Sequence, residues 1–334
     1  MKEKKLKLDK ITTYIWCCDK NTNTGEGILA NKFICDFKKI YPNYIYKIKS
    51  PINKKNYFLK KNYDRFVKPL KGIIYLWSVY LSKKHSKLCY VNYLPIWNFI
   101  IFIFLPPKTI LGPITGGSIF LKKPFINYII RKYILNFFCT VSKYILKFRQ
   151  KKLLFATNLL QNKFKENDNF YYNYVLKDLK LNKTFKKKSI DLIIYLRDHS
   201  NKNNKLQKKI ALELCTKFRI AIVGEKLNYK SIKNYGYIPR KKLGYELKKT
   251  KFSLISSENL YSFFAIDSIT NGSNIIYNDD DKINDKFFLN RSYKINFNNF
   301  DESVILIKNL INNYKLNSKN LLSIKNNFKN YFLK

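Results

Sequence analysis

Two carboxylates stand nine residues apart in ISSENLYSFFAIDSITNG, residues 255–272: Glu258 just after a short apolar run, and Asp267 in the stretch that follows. Ser262 is a helix-capping type, Phe263, Ile266 and Ile269 recur at helical spacing, and Asn271-Gly272 is a stop. The pattern predicts a strand, a loop holding Glu258, and a helix carrying Asp267. A carboxylate so placed can accept hydrogen bonds from two neighbouring hydroxyls, as a ribose presents. Upstream, LRDHSNK sets Arg197 and Lys202 five apart directly after an apolar run. A loop at the carboxyl end of a strand can aim a guanidinium and an ammonium at a diphosphate and offset its charge as it departs. Solvated surface charge is the plain reading of both pairs.

Three glycine clusters pose a similar choice. Gly25 and Gly27 in TGEG are either turn residues or bare backbone that lets N–H groups approach a phosphate or sugar at a helix N-terminus. Gly116-Gly117 in GPITGG makes a tight turn or leaves room for an acceptor. Gly236, with Tyr237 and Ile238 after it, precedes a short strand or lends its backbone to a ligand.

The elements that position these residues alternate. ITTYIWCC (11–18) reads as a buried strand and ILANKFICDFKKIY (28–41) as a helix; KLCYVNYL and KTILGPI read as further strands, with a helical or buried apolar run between them. FINYIIRKYILNFF (125–138) reads as a helix, FCTVS as a strand, SKYILKFRQ as a helix and KLLFATN as a strand. Residues 161–188 are polar and lack a clean period, so the expected organisation is an N-terminal lobe over 1–160, a linker over 161–188, a second lobe over 189–310 and a helical segment over 311–334. Within the second lobe DLIIYL, RIAIVG, KFSLISS and SNIIYN are strands, separated by helices that include RKKLGYELKKT and SFFAIDSITN. Such alternation predicts two parallel sheets covered by helices, with ligands at the carboxyl ends of the strands and a cleft between lobes.

Composition bounds the function. A chain of 334 residues, 46% hydrophobic and 16% aromatic, fills two cores. Its formal charge of +43, from 65 Lys+Arg against 22 Asp+Glu, is compatible with a polyanionic ligand or an anionic lipid surface. The excess is read as spread along the whole length, alongside many Asn, Ile, Tyr and Phe. Six cysteines form no Cys-x-x-Cys pair, and two histidines, His85 and His199, do not complete a zinc set. No apolar signal region follows MKEKKLKLDK, and IWNFIIFIFL (96–105) is half the length of a bilayer span. A soluble or peripheral cytoplasmic protein is expected.

The second lobe resembles the nucleotide-binding half of the group 1 glycosyltransferases, sequence family 4. The resemblance rests on Arg197 and Lys202 past the first strand, on IVGEK, on NYGYIPRKKLGYELKKTKFSLISS, and on SENLYSFFAIDSITNG as a Glu…Glu helix motif ending in glycine. It covers most of the chain and is strongest over 190–278; TGEG and GPITGG match in the first lobe. It implies a GT-B fold, two Rossmann-like lobes with parallel sheets facing a central cleft, and transfer of a sugar from a nucleoside-diphosphate sugar with retention. It implies that Arg197 and Lys202 meet the donor diphosphate, that Glu258 meets the sugar, that Asp267 meets the ribose, and that Gly25, Gly27, Tyr237 and Ile238 line the donor. The separation of nine where the family has eight, Asp for the second Glu, and Asn92 in YVNYLP where many members have histidine are departures. No cofactor or metal is expected; the partners are the nucleotide sugar, a saccharide or lipid-linked acceptor of cell-surface polysaccharide assembly, and an anionic membrane at its inner face. Arg131 and Lys132, inside an aromatic helix, are the expected membrane contacts.

Two other classes compete. Asp279-Asp280-Asp281 after SNIIYN offers the Asp-x-Asp by which GT-A enzymes hold a divalent metal on the donor, through Asp279 and Asp281. A basic nucleic-acid-binding protein accounts for the charge, although the chain shows no helix-turn-helix or zinc signature.

Overall fold

The computed structural model describes residues 11–51, 67–83, 86–116, 129–164, 168–182, 185, 187–197, 204–255, 260–278, 288, 291–296, 299–315 and 328–333. The chain divides into two compact units, Met1–Val175 with Asn326–Lys334, and Leu176–Lys325.

The first unit runs β1 (Thr12–Trp16), α1 (Gly25–Ile40), β2 (Ile45–Lys49), α2 (Lys68–Ser82), β3 (Ser86–Tyr90), α3 (Phe99–Phe104) and β4 (Ile110–Leu111). Its sheet is parallel throughout, in the order β2-β1-β3-β4. Buried Trp16, Leu76, Tyr90, Ile96 and Phe102 form the core between sheet and helices. Next comes α4 (Leu135–Arg149), entered through a wide helical turn at Ile130–Ile134. This overturns the helix–strand–helix expected over 125–150. FCTVS is rich in strand formers, but Cys139, Ser142 and Leu146 continue one buried helical stripe through it, and packing overrides propensity. β5 (Leu153–Leu154), α5 (Gln161–Phe164) and β6 (Phe170–Tyr171) follow, β5 pairing β6. The chain's last helical turn, Lys329–Phe332, returns to this unit: Phe332 packs on Phe33 and Phe37 of α1, and Tyr331 donates its hydroxyl to the Leu111 carbonyl at 2.6 Å.

The second unit runs β7 (Ile190–Leu196), α6 (Asn204–Leu214), β8 (Ile220–Gly224), β9 (Ile232–Gly236), α7 (Arg240–Lys248), β10 (Thr250–Leu254), α8 (Phe263–Thr270), β11 (Asn274–Asn278), β12 (Ser292–Ile295) and α9 (Phe300–Asn312). All its strands pair in parallel, in the order β12-β11-β10-β7-β8-β9. β7 lies at the centre and is apolar on both faces, as a covered parallel strand must be. Its one acid, Asp191, is buried, and Arg219 and Lys251 satisfy it at 2.8–3.0 Å. Burial pushes the Asp191 carboxyl up, but those cations outweigh it and hold it at about 2.

Candidate functional site

A doubly wound sheet opens a crevice where its strand order reverses, at the carboxyl ends of the two strands on either side. In the second unit those strands are β7 and β10. Arg197 directly follows β7 and is exposed, with its carbonyl accepting from Asn204 Nδ2 at 2.5 Å as α6 begins. β10 ends at Leu254, four residues before Glu258. Lys202 and Glu258 lie outside the described residues, as do His85, His199, Gly117, Asp279, Asp280 and Asp281.

The neighbouring strand ends are closely fitted. Gly224 closes β8 with a φ of +97°, and a Cβ there would lie 1.9 Å from the Leu196 carbonyl oxygen. Only glycine lets β8 finish against the end of β7. Gly236 closes β9 with a φ of +63°. After it Tyr237 stands 71% exposed, while Ile238 packs against the cluster that holds Leu247 and Phe264.

Asp267 occupies α8, whose start is capped by Ser262 accepting from the Ala265 N–H at 3.2 Å, and whose stop falls at Asn271-Gly272. The carboxylate is buried and meets Arg240, the first residue of α7: Nε donates to Oδ2 at 2.7 Å and Nη2 to Oδ1 at 2.5 Å. Burial raises the Asp267 carboxyl above its usual range, and Arg240 opposes that only in part. The guanidinium also lies 5.2 Å from the Phe263 ring. Thus Gly236-Tyr237-Ile238 and Asp267 are brought together through a residue that the motif reading passed over. A signal was present, because a cation in the first turn of a helix opposes the helix dipole and calls for an acid from elsewhere. Each Asp267 oxygen keeps a further lone pair for a hydroxyl.

The first unit reverses its order between β1 and β3. Past β3, Asn92 is buried; its Nδ2 donates to the Asp19 carbonyl at 2.7 Å, and its Oδ1 accepts from the Asp19 N–H at 3.3 Å. The Asp19 carboxylate accepts from the Thr24 hydroxyl at 2.6 Å and from the Asn21 N–H at 2.8 Å. Thr24 in turn caps α1 by accepting from the Gly27 N–H at 3.1 Å. Gly25 opens α1, which begins three residues before the expected start. A Cβ on Gly27 would lie 2.0 Å from the Asn21 carbonyl oxygen, so the loop itself demands this glycine. Glu26 is half-buried, and its Oε2 accepts from the Tyr93 N–H at 3.3 Å, where Tyr93 has a φ of +59°. Burial raises the Glu26 carboxyl, the Tyr93 N–H lowers it, and Asp19 raises it again. Oε1 of Glu26 accepts no hydrogen bond from the described residues. Asp19 and Glu26 were not singled out by sequence, since acids beside TGEG carry no spacing signature.

Among the described residues no three His, Cys, Asp or Glu side chains gather as a metal site requires. No family model and no curated protein matches the chain. Solved structures do. Sucrose-phosphate synthase from Thermosynechococcus elongatus superposes with a TM-score of 0.57 at 9% identity, over 91% of this chain and 90% of that one. A protein assigned as a UDP-N-acetylglucosamine 2-epimerase from Listeria monocytogenes gives 0.55 at 8% identity, over 91% and 88%. A glycosyltransferase from Rickettsia africae gives 0.52 at 11% identity, over 91% and 89%. Identities this low speak for architecture alone. The chain has the GT-B fold of glycosyltransferases, with the parallel sheets read from its sequence.

Proposed function

We propose that this protein is a glycosyltransferase that moves a sugar from a nucleoside-diphosphate sugar to a hydroxyl of a saccharide or lipid-linked saccharide. The observation that carries the reading is the reversal point of the second sheet: Arg197 follows one of its two strands, and the Arg240–Asp267 pair ties α8 to the Tyr237 segment. In the reaction the bond from the anomeric carbon to the diphosphate breaks and a bond to the acceptor oxygen forms, while the acceptor's proton passes to the departing phosphate. Arg197 and Lys202 offset the charge that develops on that phosphate. Glu258 accepts from the sugar's hydroxyls and Asp267 from the ribose, with Tyr237 and Ile238 beside the base and Gly25 and Gly27 in the backbone that approaches the donor. Retention of configuration, metal independence and a role in cell-surface polysaccharide assembly come from the family resemblance. On the acceptor side Glu26 is the carboxylate we assign to holding the reacting hydroxyl, through its bare Oε1.

The test is a melting curve recorded over nucleoside diphosphates and their sugars, followed by turnover. A ligand at 100 times its Kd stabilises by about 2.7 kcal/mol, and the sugar nucleotide that does so is to be consumed only when an acceptor is added. Consumption without acceptor, yielding an isomer of the donor, would assign the site to epimerisation instead. Loss of turnover in EDTA with recovery in Mn²⁺ would assign it to Asp279 and Asp281. Nucleic acid bound selectively at physiological salt, with no nucleotide sugar bound, would replace the transferase reading altogether.

A further inference from the structure

We infer that the first unit carries a docking face for an anionic lipid surface, built from α2, α3 and α4. It goes beyond the transferase reading and stands without it. α2 is apolar on two sides. Ile73, Leu76 and Val79 are buried, while Leu70, Ile74, Trp77 and Leu81 make a second stripe at helical spacing, exposed except for half-buried Trp77. α4 and the turn before it repeat the arrangement. Cys139, Ser142 and Leu146 face inward; Tyr133, Phe137, Tyr144 and Phe148 face outward, Phe148 at 92% exposure. α3 exposes Ile100, Ile103 and Phe104. Trp77 Nε1 donates to the Phe104 carbonyl at 2.7 Å, and Phe99 packs on Phe138 at 5.2 Å, so the three helices form one layer. Of the 26 exposed large apolar side chains among the described residues, 15 fall between Val67 and Phe148. A surface that faces only water rarely keeps so large an apolar patch.

Charge selects the occupant. The sequence reading spread the cations evenly, but the acids are not evenly spread. From Arg65 to Lys165 the chain has 18 Lys+Arg and no Asp or Glu, where 22 acids in 334 residues would put about six or seven in such a stretch. All three helices lie inside it, and Lys71, Lys83 and Lys147 are exposed beside the stripes. A second copy of the chain would press one unrelieved positive surface against another. Nucleic acid matches the charge but gains nothing from Leu70, Ile74, Leu81, Ile100 and Ile103, which have no ring for a base to stack on. An anionic bilayer matches both features, the headgroups meeting the lysines and the acyl boundary taking the apolar stripes. No helix among the described residues is long and apolar enough to cross a membrane, so the layer lies along the interface. The side chains of Arg131 and Lys132, the contacts expected from sequence, are outside the described residues and are not needed.

Cosedimentation of the full chain with vesicles tests this, using phosphatidylcholine alone and phosphatidylcholine mixed with phosphatidylglycerol. The chain is expected to bind the mixed vesicles, to release them as salt rises, and to bind the neutral ones far more weakly. Lys147→Ala should lower partitioning about fivefold, and Phe137→Ser with Phe148→Ser about tenfold or more. Ile305→Ser, on α9 of the second unit, should change nothing. Both residues of the double variant point away from the core, and an unchanged melting curve shows that it folds. Equal binding to both vesicle types, or full binding by the folded Phe137/Phe148 variant, would overturn the proposal. So would a dimer that this variant dissolves while wild type ignores vesicles, or DNA binding that displaces vesicles and survives the loss of both phenylalanines. Stabilisation by nucleoside diphosphates is read separately on the same variants, so failure of the lipid face and failure of the transferase reading are told apart.

Discussion

The Arg240–Asp267 pair is open to a quantitative challenge. Asp267 has 11% of its side chain exposed and Arg240 has 38%, and two charge-assisted hydrogen bonds join them. Breaking a fully buried ion pair by removing one partner costs about 3–5 kcal/mol. Asp267→Asn leaves the partner that can turn to water, so the loss falls to about 1–2 kcal/mol. Arg240→Ala leaves the buried carboxylate alone, and the loss should reach about 3 kcal/mol, softened as the acid takes up a proton. The double variant Asp267→Asn/Arg240→Ala should lose less than the sum of the single losses, with a coupling of about 1–2 kcal/mol. On a unit of this size each kcal/mol moves the melting temperature by about 2–4 °C, so differential scanning calorimetry resolves all three. Measured again with the nucleoside diphosphate that stabilises wild type, Asp267→Asn should lose most of the ligand-induced shift. Losses below about 0.5 kcal/mol in both singles, adding without coupling, would refute the structural role. A full ligand shift in Asp267→Asn would refute the ribose role, whatever the stability.

Arg197→Ala should lower kcat by about 10²–10³; Lys202→Ala should do likewise without adding, because both serve one charge, and wild-type turnover in either removes the assignment. Glu26→Gln should lower kcat/KM for the acceptor while leaving nucleotide binding intact; an equal loss in both would mark it as structural. Gly224→Ala should destabilise by more than about 3 kcal/mol, since its Cβ would meet the Leu196 carbonyl at a left-handed φ. By contrast Gly244→Ala, inside α7 with its nearest contact at 3.5 Å, should stabilise by about 0.5–1 kcal/mol; melting curves decide both. Asp191, held at about 2 against an ordinary 3.8, stabilises the fold fully above pH 4 and loses that contribution as pH falls toward 2. This is worth about 2 kcal/mol, and Asp191→Asn should flatten the acid limb of the stability–pH curve.

Local patterns survived where a period or a backbone demand fixed them. Ser262, Phe263, Ile266 and Asn271-Gly272 outlined α8 because capping and helical spacing act within a few residues. Gly224 was legible as a glycine at a strand end, though the Leu196 carbonyl that excludes a side chain there belongs to a strand far off in sequence; Gly236 was expected before a short strand and instead closes β9. FCTVS misled because its β-branched and aromatic residues suit either period, and the choice was made by α3 packing across it. The partners of Arg240 and Asn92 were invisible for a related reason. The first finds its acid 27 residues away, and the second bonds a backbone 73 residues away. What the alternation of strands and helices did convey was the parallel sheet, and with it the crevice positions that gave Arg197 its meaning.

Acids are scarce in this chain, and several of those it has are used inside. Asp36 accepts the Tyr174 hydroxyl at 2.6 Å, Glu246 accepts the Tyr235 hydroxyl at 2.6 Å, and Asp191 and Asp267 hold arginines. Asp19 fastens the Thr24 cap of α1. Each is buried, and Asp36, Glu246 and Asp267 each join two elements that the sheet does not pair. A buried acid answers one hydroxyl or one guanidinium nearby and does little to the field outside. The surface stays cationic because Lys+Arg outnumber Asp+Glu 65 to 22, most completely from Arg65 to Lys165, where no acid is present at all. One distribution thus has two sides: Asp19 and Asp267 brace loops and helices past the carboxyl ends of β1 and β9, where the proposed donor is read, and the lack of acids from Arg65 to Lys165 leaves the apolar, basic layer of the proposed lipid face.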